Sequence, residues 1–353
     1  MKAAVYYGPH DVRVEERDAP NPLAGEILLK VRRSGMCGTD ASEWKAGPII
    51  FPLHKAHPVS GLQGPMILGH EFIGEILELG AEVSNFRVGQ RVASGAGISC
   101  GECQRCAEGR TNLCQRYVTH GLNRDGGMAE MVAVPASTLV PIPDDLSDDH
   151  AGLAQPLAVG LHAARRSRAQ DGDTAVLIGA GAIGTFVLSG LKHLGSSRVI
   201  VVDFAGSRLE RASRLGADHV VAVDDNTDAA VRELIGGFGA DVVIEASGAP
   251  GQIDRAAGWT RRGGALLQVG LPSKPQEVNI HHIVMSEITM ETTLAHVCGE
   301  DMAPALEILR TTTLAQELLE GVYPLDELTD QLERLAKGQI QGKVLFDPQM
   351  TNS

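Results

Sequence analysis

The chain has 353 residues, 43% of them hydrophobic and 21% charged, the balance of a soluble globular protein with room for about two domains. A formal net charge of −13 argues against nucleic acid or an anionic membrane surface as a partner. The opening stretch MKAAVYYGPHDVRVEERD lacks the basic and apolar blocks of a secretory signal, and no apolar run has the length of a membrane span, so a cytoplasmic protein is expected.

Through about residue 150, short apolar stretches of strand length, such as Glu26–Val31, Glu75–Leu79 and Met131–Val134, alternate with Gly and Pro. This predicts a mostly β domain whose loops carry three motifs. Cys37-Gly38-Thr39-Asp40 and Gly69-His70-Glu71 offer a thiolate, an imidazole and a carboxylate, all good Zn²⁺ ligands. Taken singly each is weak, because a lone Cys or a His-Glu pair more often serves packing or the surface. Cys100, Cys103, Cys106 and Cys114 are stronger, at C-x2-C-x2-C-x7-C spacing within 15 residues. Four thiolates so close together can complete a tetrahedral shell and leave no open position, which predicts a structural zinc. Two disulfides are the alternative, disfavoured by the short C-x2-C repeats in a chain that reads as intracellular.

From about Asp173 the rhythm changes. Thr174–Ile178 reads as a strand, and after a Gly-rich turn Ile183, Val187, Leu191 and Leu194 recur at helical spacing. Further strand-like runs at Val199–Val202, His219–Val223, Asp241–Glu245 and Ala265–Val269, with helical segments between them, predict a doubly wound parallel sheet. The tail reads as helices over Ala303–Leu309 and Leu325–Leu335 and a last strand, Lys343–Phe346. Gly179-Ala180-Gly181-Ala182-Ile183-Gly184 fits the dinucleotide fingerprint in the required context, between a strand and an amphipathic helix. Gly179 permits the tight turn, Gly181 admits the pyrophosphate and Gly184 lets helix and strand close up, while an ordinary βα turn is the bland alternative. Asp203, about 20 residues on, would accept the ribose hydroxyls of NAD and repel a 2′-phosphate. Arg208 is the one feature that favours NADP, unless it flanks the adenine or pairs with an acid.

Taken together in order and spacing, these pieces resemble the zinc-dependent medium-chain dehydrogenases of the alcohol dehydrogenase superfamily over essentially the whole chain. Gln155-Pro156-Leu157-Ala158-Val159-Gly160 belongs to the same set. The segment Gly47-Pro48-Ile49-Ile50-Phe51-Pro52, with His57-Pro58 and Gly64-Pro65 before the His-Glu motif, resembles the polyol branch and above all 2,3-butanediol dehydrogenases. The resemblance implies an α/β fold with a GroES-like catalytic domain over residues 1–155, a Rossmann NAD-binding domain over 156–295 and a return to the catalytic domain over 296–353. It implies a catalytic zinc on Cys37, His70 and Glu71 beside the structural one, a small alcohol or ketone substrate, and a homo-oligomer, dimer or tetramer. Thr39 is expected to hydrogen-bond the reacting oxygen. Two positions depart from the family pattern. Gln155 stands where polyol dehydrogenases have Glu, and Ser42 where relatives often place a proton-relaying His. A cyclic polyol, sugar alcohol or amino alcohol is the alternative substrate, and a non-catalytic binding relative the alternative class.

Overall fold

The computed structural model describes residues 1–195 and 198–350. The chain divides into two compact units, one formed by Met1–Gln155 with Val297–Ser353 and the other by Pro156–His296.

The first unit is mostly β. A seven-stranded sheet runs in the order Leu139–Pro141, Arg91–Ser94, Glu71–Leu79, Glu26–Gly35, Lys343–Asp347, Leu319–Pro324, with Met131–Pro135 also on Glu26–Gly35. The N-terminal strand Lys2–Gly8, whose alanines masked its strand character in the sequence, pairs with Asp11–Glu16 and Met66–Ile67 in a smaller sheet. Alternate residues Ile27, Leu29 and Val31 meet Phe72 and Ile76 in one core. A second core gathers Tyr6, Trp44, Phe51, Leu328, Leu332 and Phe346, so residues near both chain ends share it. Each such buried side chain contributes on the order of 2 kcal/mol. Antiparallel pairing of Leu345 with Gly35, and of Gly35 with Glu71, carries the last strand beside the His-Glu motif. The C-terminal helix starts earlier than periodicity predicts, at Cys298, and runs to Thr311 with Pro304 inside it. The predicted helix over Leu325–Leu335 resolves into a 3₁₀ turn at Leu325–Glu327 followed by an α-helix over Leu328–Ala336.

The second unit is a six-stranded parallel sheet. In chain order its strands are β1 (Thr174–Ile178), β2 (Arg198–Asp203), β3 (His219–Ala222), β4 (Ala240–Glu245), β5 (Thr260–Gln268) and β6 (Thr289–Thr292), and in space they stand β3-β2-β1-β4-β5-β6. The order reverses between β1 and β4, which is where such sheets open a crevice for dinucleotides. Both faces are covered. Leu177, Val201, Ile244 and Leu267 pack with Val187 and Leu191 of the helix Ala182–His193 on one side. Val176, Ile200, Val243 and Leu266 pack with Ile253 and Trp259 on the other. Strand β6 has no counterpart in the sequence reading, since Thr289–Thr292 is short, polar and largely exposed.

Candidate active site

Cys37 ends an irregular stretch after Glu26–Gly35 and caps the nine-residue helix Gly38–Ala46. Asp40, three residues into the motif, turns back so that its Oδ2 accepts the Cys37 N–H at 2.9 Å, which fixes the start of the helix. Glu71 opens the neighbouring strand Glu71–Leu79, and His70 stands in the bend just before it. Gly69 before them has φ +97°, and a side chain there would strike Met128 and Ser34. Gly35 is likewise bare because the Glu71 carboxylate occupies the space beside it. The result is one ligand atom from each of Cys37, His70 and Glu71, all within 4.8 Å of one another.

The electrostatics of this cluster call for a cation. His70, Glu71 and Asp40 are buried. Burial opposes a charge on His70, yet Asp40, Cys37 and Glu71 crowd it with negative groups and push it up to about 10. Asp40 Oδ1 and His70 Nδ1 lie 3.8 Å apart, and neither has a hydrogen-bond partner. Three donors of mixed softness, two orphaned polar atoms and acidic groups crowded around them fit a divalent zinc with one ligand position left over.

Lys343 is the residue that sequence reasoning missed. Its buried ammonium donates to Glu71 Oε1 at 2.8 Å and to the Met36 carbonyl at 2.7 Å, and it stands 2.6 Å from Glu71 Oε2. Burial works against its charge, but Glu71, Cys37 and Asp40 hold it above the usual lysine range. The only signal in the sequence was a basic residue opening the apolar run Val344-Leu345-Phe346.

Among the other residues singled out by sequence, Thr39 stands in the first helical turn with Oγ1 3.9 Å from Cys37 Sγ. Ser42 is exposed and its hydroxyl donates to the Gly38 carbonyl at 2.9 Å, so it turns back onto its own helix. Gln155 is half-buried in the first turn of the helix Ala154–Arg166.

The four-cysteine lobe is compact. Cys103 Sγ lies 3.5 Å from Cys106 and 3.9 Å from Cys114, and Cys100 Sγ lies 4.0 Å from Cys106. A tetrahedron with Zn–S of ~2.3 Å has edges of ~3.8 Å, so these spacings fit one ion and are far too long for disulfides, whose S–S bond is ~2.05 Å. Backbone N–H groups of Cys100 and Arg116 point at Cys114 Sγ, and that of Cys103 at Cys100 Sγ. The Cys103 N–H draws Cys100 down to about 6, whereas burial pushes Cys114 up to about 11.

In the second unit the fingerprint turn sits between β1 and its helix, with Gly179 at φ +96°. A side chain at Gly184 would overlap the Gly179 carbonyl, which is why helix and strand close up only with glycine there. Gly181 has open space in front of it, and Ile183 is half-buried in the first turn of the helix. Asp203 ends β2, and its Oδ2 accepts the Ala180 N–H at 2.6 Å while Oδ1 accepts the Phe204 N–H at 2.6 Å. Arg208 Nη1 stands 4.0 Å from Asp203 Oδ2, so the arginine faces the acid rather than replacing it.

Comparison with known proteins agrees with this architecture. Residues 23–144 match the alcohol dehydrogenase GroES-like domain and residues 182–311 match the zinc-binding dehydrogenase domain. Sorbitol dehydrogenase of Bacillus subtilis is 33% identical, with 95% of this chain and 93% of that protein aligned. (R,R)-butanediol dehydrogenase of the same organism is 32% identical over 99% of this chain and 100% of the relative. The crystal structure of 2R,3R-butanediol dehydrogenase from Bacillus subtilis superposes with a TM-score of 0.89 over 98% of this chain and 99% of that one, at 31% identity. The chain belongs to the zinc-binding alcohol dehydrogenase family. It is an oxidoreductase, with the GroES-like and Rossmann-like folds that the sequence predicts.

Proposed function

We propose that the protein moves hydride between NAD and a secondary alcohol or vicinal diol, the carbonyl product being of the acetoin type. The observation that carries this reading is the meeting of Cys37, His70 and Glu71, with donor atoms within 4.8 Å of one another, in a chain that also carries the fingerprint turn and Asp203. In this reading Cys37, His70 and Glu71 hold the catalytic zinc, and Cys100, Cys103, Cys106 and Cys114 the structural one. Bound zinc supplies Lewis-acid acidification of an alcohol hydroxyl and NAD supplies the hydride acceptor. The remaining work belongs to the chain. Thr39 accepts the hydrogen bond of the reacting hydroxyl and starts the proton on its way out. Ser42 is exposed on the same helix, but its hydroxyl is engaged with the Gly38 carbonyl, so in this reading the proton reaches solvent from Thr39 through water or the cofactor ribose. Lys343 holds Glu71 in place from the side of the Met36 carbonyl. Asp203 keeps lone pairs free for the ribose hydroxyls, and its charge disfavours the 2′-phosphate of NADP.

Sugar alcohols form a second substrate class, because the sorbitol dehydrogenase relative is as similar as the butanediol enzyme. A homo-oligomer fits the edge strand β6, since Met290 on it and Val284 and Met285 at the end of the helix Ile280–Met285 just before it leave apolar surface uncovered. Four clustered, unbridged cysteines suit a reducing cytoplasm. The test is a panel of 2,3-butanediol stereoisomers, acetoin, sorbitol, threonine and simple secondary alcohols, run with NAD and with NADP on zinc-loaded protein. Turnover of a diol with NAD preferred supports the proposal. Activity confined to sugar alcohols moves it to the second class, and zinc-loaded protein inert on the whole panel overturns it.

A further inference from the structure

Glu245 is the last residue of β4, fully buried beneath the C-terminal edge of the parallel sheet. Its carboxylate is crowded with neutral donors. Oε1 accepts the Ser247 N–H at 2.7 Å and the Ser247 hydroxyl, the Gly248 N–H reaches both oxygens at 3.0 Å, and Gln268 Nε2 donates to Oε2 at 2.6 Å. The same Gln268 nitrogen reaches the Gly270 carbonyl at 2.6 Å. The Glu245 main-chain carbonyl accepts the N–H groups of Val269 and Gly270 at 2.8 and 2.9 Å. One residue therefore ties together the loop after β4 and the loop after β5. The two loops also close on each other at Gly270, where a side chain would meet Gly248 and the Glu245 carboxylate. The outer faces of these loops are open, Ser247 being exposed and Leu271 92% exposed.

The two loops lie on one side of the point where strand order reverses. A doubly wound sheet of this order binds a dinucleotide as two mononucleotide halves, one on each side of that point. Gly179 to Gly184 and Asp203 stand on the β1–β2 side, which receives the adenosine half. The loops after β4 and β5 are thus left for the nicotinamide half. We infer that Glu245 is a positioning residue for the nicotinamide half of the cofactor, setting the spacing of the two loops that receive it. The inference rests on the NAD reading above and adds a residue and a half-site to it. Glutamine has nearly the shape of glutamate but turns an NH₂ group toward donors, so Glu245→Gln replaces an attraction with a clash of like dipoles and frees a loop.

The experiment titrates wild type and Glu245→Gln with NAD and with ADP, which carries adenosine and pyrophosphate but no nicotinamide riboside. The variant should bind NAD about tenfold or more weakly while its ADP affinity stays within about twofold of wild type. Equal losses for both ligands, or none for either, would overturn the inference, and a fall in melting temperature alone would not produce the split. If Glu245→Gln does not fold, Gln268→Ala carries the test, since it removes only the bridge from Oε2 to Gly270, and the same split should appear in smaller measure. Wild type that binds ADP but not NAD, or neither, overturns the dinucleotide reading and this inference with it. Wild type that binds NAD beside a variant with unchanged affinity overturns this inference alone.

Discussion

The four-cysteine lobe and the Cys37 site share one unit, yet the lobe takes all its donors from residues 100–114 and the second site draws on residues 37, 70, 71 and 343. The lobe is soft, local and only partly buried, with no carboxylate among its donors. Four like ligands at tetrahedral spacing leave no place for a substrate atom. The Cys37 site is mixed and mostly buried, and it has three donors, a carboxylate behind the histidine and a lysine behind the glutamate. A closed shell suits a metal that holds a loop in shape, and an open one suits a metal that meets a substrate. Outer contacts matter in the second case because three ligands must be kept aimed at a point that the fourth, exchangeable position does not hold.

The sharpest way to break this comparison is Cys37→Ser. Turnover should fall about a thousandfold or more, with half of the bound zinc lost and NAD affinity retained, since the fingerprint turn belongs to the other unit. Metal analysis, steady-state rates and a binding titration check it, and near-normal rates would remove the catalytic-zinc assignment. Cys103→Ser should show the reverse pattern. The other half of the zinc is lost and stability falls by several kcal/mol, less than the ~10–16 kcal/mol that zinc contributes to isolated fingers, because the surrounding unit has its own cores. Unchanged metal content and melting temperature would end the four-thiolate reading.

Lys343→Met comes next in size. It leaves Glu71 buried without its ammonium, which costs about 3–5 kcal/mol in metal-free protein and less once zinc supplies positive charge. Because Lys343 is held above the ordinary lysine range, its contribution is fully present below that range and is lost only as pH rises through the elevated value. The stability gap between wild type and variant, measured by denaturant melts, should therefore not narrow as pH rises from about 6 to 9. A gap that closes within that window would show that the pair is not held by the lysine charge.

The same contrast explains what could be read from the chain before its structure. The lobe and the fingerprint turn are contiguous, so spacing alone exposes them. Residues Cys37, His70 and Glu71 were visible as fragments, but their meeting depends on antiparallel registers such as that of Gly35 with Glu71. The partnership of Lys343 with Glu71 spans 272 residues and leaves only a basic residue at the head of an apolar strand as its trace. Asp40 looked like part of a motif, and its capping of Cys37 and its approach to His70 emerge only in three dimensions. Glu245 appeared as the end of a strand, because nothing local marks a carboxylate that will be buried under two loops. Strand β6 escaped because four mostly exposed residues carry no periodicity.

Gln155 gives the smallest expected effect and the finest test of the open site. A glutamate there would add a negative charge near a centre that already holds the Cys37 thiolate and the Glu71 carboxylate, if the helix Ala154–Arg166 presents residue 155 to the metal. Gln155→Glu should then resist chelator longer, because a carboxylate binds zinc better than an amide. It should also move the alkaline limb of the pH–rate profile upward. A less positive centre stabilises a deprotonated oxygen less, so the group that must lose a proton does so at higher pH. The two measurements separate two kinds of contact. Tighter metal with a shifted profile places residue 155 against the ion, and an unshifted profile with tighter metal places it behind another ligand. Both unchanged means that Gln155 lies outside the metal's reach and serves packing in the first turn of its helix.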